Sequence, residues 1–396
     1  MKLKVLIIIC LAIATEVAFA QDSLWTRTYQ FGLYNQYDLR NSSTNMTSVH
    51  RLLLDGFRKG IKPKMNAPLG NVAYGVVSFA TTYMSMLWSH EFGHSLRAEQ
   101  VGGHFNIHDA GLPIPYTTMD LPSSIGLVDE ALSVTAGFEV NSLNTRAVQT
   151  DFVNQNGIYN EDLAFAFANR LMYPLYTSVI VPRDPEKRDT WINTAGDPVH
   201  VILPVFRNYS NNKVFNSDSI VNPDLVRYYN QSAIFGILFN MVDPQVYREI
   251  GGSFGKNKTR RPIFILGEHG NGWTYGTLFN VSPLGYELYF NNYIHVNNQK
   301  FSVYFKYGNP FKNNGFGFTW TDIIKRDHFS LSGKIDLWDQ DLFRKGIASE
   351  LYAEMKVANH IGLFTTAGYK TKGYVLGKQI NEGFNGGMGL IIYSTY

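Results

Sequence analysis

The segment His328-Phe-Ser-Leu-Ser-Gly-Lys-Ile-Asp-Leu-Trp338 decides the fold class of the C-terminal part of the chain. Apolar and polar residues alternate along it from Phe329 to Leu337, and the segment Ile347–Val357 repeats the pattern. A period of two places every second side chain on the same face of a β-strand. These segments therefore predict two strands, each with one apolar face.

Similar alternating runs occur at 286–296, 301–307 and 360–372, with turn sequences such as Asn313-Asn314-Gly315 between them. Short strands separated by turns predict an antiparallel meander, here of about eight or more strands. We expect residues 262–396 to form an antiparallel β-barrel. Segment 25–37 is a further candidate strand, which would help to close that barrel.

Composition favours strands that contact lipid. The chain contains 24 Tyr, 27 Phe and 6 Trp, and 17% of its residues are charged. Lipid-spanning strands have one apolar face rich in aromatic residues. The last run, Gly387–Tyr396, ends on an aromatic residue and resembles the C-terminal signature of bacterial outer-membrane barrels. The alternative is a soluble barrel or sandwich, whose strands alternate in the same way.

Charge and cysteine content exclude other classes of protein. Thirty-five basic and 32 acidic residues give a net charge of +3, so no nucleic-acid partner is expected. Residues 1–20 resemble a secretory signal, with Lys2 and Lys4, an apolar run and the cleavage site Ala18-Phe19-Ala20. The only cysteine, Cys10, lies in this segment. The mature chain is therefore expected to hold any metal through His and carboxylate side chains.

The middle of the chain has a helical period, which predicts an α+β protein. Apolar residues recur at helical spacing in 71–101, 128–153, 160–182 and 231–250. We divide the chain into a signal peptide (1–20), an N-terminal segment with a possible barrel strand (21–60), a helical region (61–255) and the barrel region (262–396).

The helical region contains the sequence His90-Glu91-Phe92-Gly93-His94. Spacing i, i+4 places both imidazoles on one face of a helix, where they can bind one Zn²⁺. Glu91 would act as the general base on a water that zinc acidifies, which suits hydrolysis of a peptide bond. His104 and His108 repeat the spacing, but no Glu follows His104.

A zinc site needs a third protein ligand, and three acidic residues are candidates. Glu139 lies in the middle of an apolar helical stretch, where a metal would offset the cost of burying its charge. Glu130 lies in the first turn of the same predicted helix, where acidic residues also interact with the helix dipole. Asp243 precedes Pro244 and either binds the metal or ends its helix. We expect Glu139, with Asp243 and Glu130 as alternatives.

Two segments resemble the site-2 protease family of membrane zinc proteases. His90-Glu-Phe-Gly-His-Ser-Leu-Arg-Ala98 is similar to its H-E-x-G-H-x-x-x-A motif, and Ala136-Gly137-x-x-x-Asn141 to its Gly-x-x-x-Asn motif. The resemblance implies that Asn141 helps to hold the substrate strand. Asn240 and Asp243 stand in for the family's last motif, without its leading proline pattern and without the glycine after the aspartate.

These observations predict a zinc-dependent metallopeptidase of the outer membrane of a Gram-negative bacterium, with membrane lipid and a peptide or protein substrate as its partners. One alternative is a non-catalytic outer-membrane barrel with a structural or vestigial metal site. The other is an inner-membrane protease, because the 25 residues from Met65 to Ser89 contain no charge and are long enough to cross a bilayer.

Overall fold

A computed structural model describes residues 26–109, 115–177, 223–253 and 259–395. The predicted signal peptide and the end of the predicted helix 160–182 lie outside these residues. The protein has the predicted α+β architecture, with helices followed by a large antiparallel sheet.

The described residues contain six α-helices, and a π turn and a 3₁₀ turn connect the first two of these helices. The helices are α1 (Arg40–Gly56), α2 (Ala67–Gln100), α3 (Leu127–Asn154), α4 (Asn160–Leu175), α5 (Pro223–Met241) and α6 (Pro244–Ser253). The predicted helix 231–250 is two helices, because Pro244 lacks an N–H and disfavours helical geometry at Asp243. The sequence did not predict α1, whose buried face is mostly polar and has no apolar period.

The described strands form one large sheet and two small sheets of two strands each. Their bounds are β1 (Thr26–Tyr34), β2 (His104–Asp109), β3 (Pro115–Asp120), β4 (Ile158–Tyr159), β5 (Thr259–Arg260), β6 (Leu266–Glu268), β7 (Asn271–Ser282), β8 (Gly285–Val296), β9 (Gln299–Pro310), β10 (Asn313–Arg326), β11 (Phe329–Gln340), β12 (Arg344–Ala358), β13 (Ile361–Lys370) and β14 (Gly383–Thr395). The large sheet has ten strands in the order β1-β14-β13-β12-β11-β10-β9-β8-β7-β6. The two-stranded sheets are the hairpin β2-β3 and the antiparallel pair β4-β5, whose strands are separated along the chain by α4, α5 and α6.

The large sheet is open, which corrects the closed barrel predicted from the sequence. The N-terminal strand β1 pairs with β14, as a closing strand would, but it does not pair with β6 or β7 at the other end of the sheet. Alternation along a strand determines which residues share a face of the sheet. Closure depends on whether the two ends of the sheet pair with each other or with other elements. Here helices lie against β1 and against the part of β7 that β6 does not cover.

Side chains of α1 satisfy the free edge of β1. The pairs are Tyr34 with Asn41, Gly32 with Asn45, and Gln30 with Ser48. In each pair the strand N–H donates to the side chain at 2.8–2.9 Å, and the same side chain donates back to the strand carbonyl. The three polar residues recur at i, i+4 and i+7 and so lie on one face of α1. This face replaces the ladder of a neighbouring strand.

The edge of β7 is satisfied by residues of α3, α4 and the turn between α5 and α6. The N–H of Thr277 donates to Asp243 Oδ2 at 2.8 Å, and its carbonyl accepts from Arg170. Ser142 Oγ donates to the carbonyl of Phe279. The helices thus occupy the interval between β1 and β7, and they do so with the polar groups that an open edge requires.

The two faces of the sheet differ in polarity. Alternate residues point to the helices and are buried and polar, among them Glu287, Lys306, Asn313, Asp336, Gln340 and Lys370. The intervening residues point outward and are large, apolar and exposed, among them Phe290, Phe305, Leu337, Leu351, Leu363 and Leu390. The connection 371–382 between β13 and β14 folds against the polar face, where Tyr374, Val375 and Leu376 are buried. Within the described residues, no helix is both long enough and apolar enough to span a membrane.

Candidate metal site

Two glycines allow α2 and α3 to cross closely at the H-E-x-x-H sequence. A Cβ on Gly93 would lie 2.8 Å from the carbonyl oxygen of Ala136, and a Cβ on Gly137 would lie 2.3 Å from His90 Nε2. Neither distance is compatible with a side chain unless the helices or the imidazole move. The glycine inside the motif and the glycine of α3 therefore bring the imidazoles against the second helix.

An amide network fixes the orientation of the His90 ring. His90 Nδ1 lies 2.7 Å from Asn141 Oδ1, and Asn141 Nδ2 donates to Asn169 Oδ1 at 2.7 Å. Asn169 Nδ2 in turn donates to the carbonyl of Phe165, which can only accept. This order of donors and acceptors makes Asn141 Oδ1 an acceptor, so His90 carries its proton on Nδ1. Burial, followed by the neighbouring His94, lowers the pKa of His90, which favours its neutral form.

The His94 ring is oriented in the same way and faces His90. His94 Nδ1 donates to the carbonyl of Ser133 at 2.8 Å. The two Nε2 atoms are 3.1 Å apart. In the neutral form of both rings, with the protons on Nδ1, the two Nε2 lone pairs face each other and repel unless a cation, either a metal ion or a shared proton, lies between them. Outer hydrogen bonds that fix the tautomer in this way are usual for metal-binding histidines.

The side chain of Glu91 lies beside this pair, and its carboxylate has no hydrogen-bonding partner among the described residues. The residue is 9% exposed. The hairpin β2-β3 packs against this part of α2, and Thr117 Oγ1 donates to the backbone carbonyl of Glu91. The carboxylate is therefore held at the site but keeps its lone pairs available for a ligand or a water molecule.

Glu139 is buried as expected, but it has a different partner. Its Oε1 accepts from Arg97 at 3.0 Å and from the N–H of Gly377 at 2.6 Å. Arg97, three residues after His94, also donates to the carbonyl of Lys378. The ion pair is fully buried, and it attaches α2 and α3 to the connection between β13 and β14.

The other two candidates lie in other surroundings. Asp243 is buried and accepts from Arg170, Gln149 and the N–H of Thr277 at the edge of β7. Glu130 lies in the first turn of α3 and is partly exposed. Within the residues that the structure describes, no three His, Cys, Asp or Glu side chains group as a metal site would. The structure thus brings together His90, His94 and Glu91, and among the residues that it describes no third protein ligand lies with them.

Asn141 contacts His90 and not an open cleft. Both polar atoms of its side chain are engaged, and the residue is 2% exposed. Asn144 and Asn169 belong to the same network, in which Asn144 also donates to Ser89 Oγ. The sequence patterns did not point to these two residues. Their signal was the presence of amides among apolar residues of two predicted helices, where a buried amide needs a hydrogen-bonding partner.

We expect Gly137→Ala to weaken metal binding by at least about 10–100-fold, the range for residues that position a ligand. The added methyl group would displace the His90 ring from the position that faces His94. Competition with a chelator measures the affinity. Gly75→Ala, in the same kind of helical setting but with no atom within 4 Å of the added Cβ, is the control and should bind metal normally. Normal metal binding by Gly137→Ala would contradict the described packing of the imidazole.

Comparisons of the chain with protein families, with curated proteins and with solved structures give no match.

Proposed function

We propose that the protein is a zinc-dependent peptidase. One observation carries the proposal: the Nε2 atoms of His90 and His94 face each other at 3.1 Å, and hydrogen bonds hold the protons of both rings on the opposite nitrogens. Two neutral imidazoles arranged in this way suit a shared divalent cation, and zinc is the cation that H-E-x-x-H sequences bind. Zinc held there would polarise the scissile carbonyl group and acidify the attacking water.

The residues around the two histidines would orient the imidazoles and transfer the proton. Asn141 and the carbonyl of Ser133 orient the two imidazoles. Glu91 has a free carboxylate next to them, so it can take the proton of the attacking water and pass it to the leaving amine. The small exposure of His90 and Glu91 limits the access of bulk water, which strengthens the electrostatic interactions at the site.

We also propose that the outer face of the large sheet lies in the outer membrane. Its strands β8 to β14 are 10–15 residues long, enough to cross the bilayer, and alternate side chains are apolar on the outside and polar on the inside. A soluble sheet would place the apolar face inward. Leu351 lies on this face and is 55% exposed.

A protein that keeps the metal without turnover is the second candidate function. The observation that favours it is the lack of a third protein ligand among the described residues. The two functions share the histidine pair and differ in the role of Glu91.

The metal content of purified protein tests the site itself. We expect about one zinc per chain, and we expect His90→Ala or His94→Ala to lose it, because a single remaining imidazole binds far more weakly. His104→Ala and His108→Ala are matched controls, since these histidines have the same spacing but lie in strand β2. Elemental analysis after dialysis measures the stoichiometry. If the controls lose zinc and the two motif variants keep it, the proposed site is wrong.

A further inference from the structure

Helix α2 exposes a continuous apolar stripe. Its side chains are Leu69, Val72, Val76, Phe79 and Tyr83, which are 36–76% exposed. They recur at steps of three and four residues and so occupy one face of the helix, over a length of about 21 Å. On the opposite side of the helix Tyr74 and Ser85 are buried, whereas Asn71 is exposed. The exposed stripe is therefore apolar, as the outer face of the sheet is.

Helix α5 exposes a second apolar stripe, which is continuous with the outer face of the sheet. Ile234, Phe235, Ile237 and Leu238 are 37–56% exposed. The ring of Phe235 packs against that of Tyr286, whose side chain lies on the outer face at the start of β8, with centroids 6.1 Å apart. The apolar surface therefore passes from the sheet to the helices without an interruption at this side.

The two helices belong to the group that fills the interval between the sheet's edges. Helix α1 packs against β1 and α2, α4 packs against α2, and α5 packs against α4 and β7. Going round the molecule from β1 to β7, the helices thus take the positions that further strands would take in a closed barrel. An open strand edge is not tolerated in hydrocarbon, and here the edges are satisfied by α1 and by the side chains at Thr277.

We propose that α2 and α5 form the wall that contacts bilayer hydrocarbon where the sheet is open. The inference rests on the proposed membrane placement of the sheet and extends it to the helices. The stripe of α2 is about as long as the roughly 25 Å apolar band of an outer-membrane barrel. It lies in a stretch from Met65 to Ser89 without any charge, with Lys62 and Lys64 just before it. Charged residues at the end of an apolar stripe suit a polar boundary of a membrane.

Site-directed spin labelling in nanodiscs of phosphatidylethanolamine and phosphatidylglycerol tests the proposal. Cys10 is the only cysteine of the chain and lies in the predicted signal peptide, so Val76→Cys, Leu238→Cys and the reference variants of the mature protein each carry one thiol. Oxygen enters hydrocarbon, whereas a water-soluble nickel complex does not. Leu351→Cys is the reference for the outer face of the sheet, and Lys345→Cys, an exposed charged position, is the reference for water.

The expected result is that the labels at Val76 and Leu238 behave as the label at Leu351 does, with frequent collisions with oxygen and loss of access to the nickel complex. If Leu351 is in hydrocarbon while the two helix labels meet the nickel complex, the inference is wrong and the membrane placement of the sheet stands. If Leu351 also meets the nickel complex, the placement is wrong and the inference falls with it. Helix labels shielded from both reagents would indicate a protein partner and would also overturn the inference.

Discussion

The variant Glu91→Gln is expected to keep its zinc and to lose about 10²–10⁴-fold in kcat, the range for removal of a general base. In the parent protein the carboxylate of Glu91 lies next to His90 and has no hydrogen-bonding partner among the described residues, so it is free to take a proton. The amide of glutamine is isosteric and leaves the helix intact, but it cannot accept the proton of the attacking water. The measurement compares turnover of a fluorogenic peptide substrate with the zinc content of the same preparation.

Glu99→Gln provides the matched control for that variant. Glu99 lies on the same helix, two turns after Glu91. Replacing it by glutamine changes the net charge of the chain by the same amount as Glu91→Gln does. We expect it to retain the activity of the parent protein. Full activity of Glu91→Gln would refute the catalytic assignment, and zinc binding without cleavage of any peptide by the parent protein would favour the non-catalytic function.

The variant Glu139→Gln is expected to lower the free energy of unfolding by about 3–5 kcal/mol, the cost of removing one partner of a buried ion pair. Arg97 and Glu139 are both fully buried, and their nearest polar atoms are 3.0 Å apart. Without the carboxylate, the guanidinium of Arg97 keeps its charge in an interior that cannot hydrate it. Denaturant unfolding of the detergent-solubilised protein measures the loss.

The same variant separates the structural role of Glu139 from a role as zinc ligand. If the ion pair is its whole function, the folded fraction of Glu139→Gln should bind zinc with the affinity of the parent protein. Glu130→Gln, in the first turn of the same helix, should cost at most about 1 kcal/mol through the helix dipole. Loss of zinc from folded Glu139→Gln would contradict the described pairing and would restore the glutamate as third ligand.

The period of the apolar residues predicted much of the fold. It predicted α2, α3 and the meander of strands, because apolar residues recur at helical spacing in the two helices and alternate with polar residues along the strands. It missed α1, because Asn41, Asn45 and Ser48 bind a strand edge and give no apolar signal. The predicted closure of the sheet was wrong for the same reason. Polar side chains of helices, and not a partner strand, satisfy the edges of β1 and β7.

The candidate site shows a similar limit. Spacing predicted that His90 and His94 share a face of one helix, and the structure confirms that their rings meet. The buried carboxylate of Glu139 has a charged partner, as expected, but the sequence did not identify that partner as Arg97. Arg97 lies 42 residues from Glu139, and no local pattern links the two. A cation can satisfy such a carboxylate whether it is a metal or a guanidinium, and only the three-dimensional contacts distinguish them.

The contacts of Glu139 and Arg97 with the connection between β13 and β14 have a consequence for biogenesis. Gly377 is 238 residues after Glu139, and Lys378 is 281 residues after Arg97. Contacts across such separations form late, because the intervening chain must be ordered first. Helix α2, which carries both histidines, and helix α3 therefore reach their final positions only after nearly the whole polypeptide has been delivered and its last hairpin has folded. We therefore expect the proposed peptidase to cleave only as a completed molecule, so that a partly synthesised chain would not damage its neighbours.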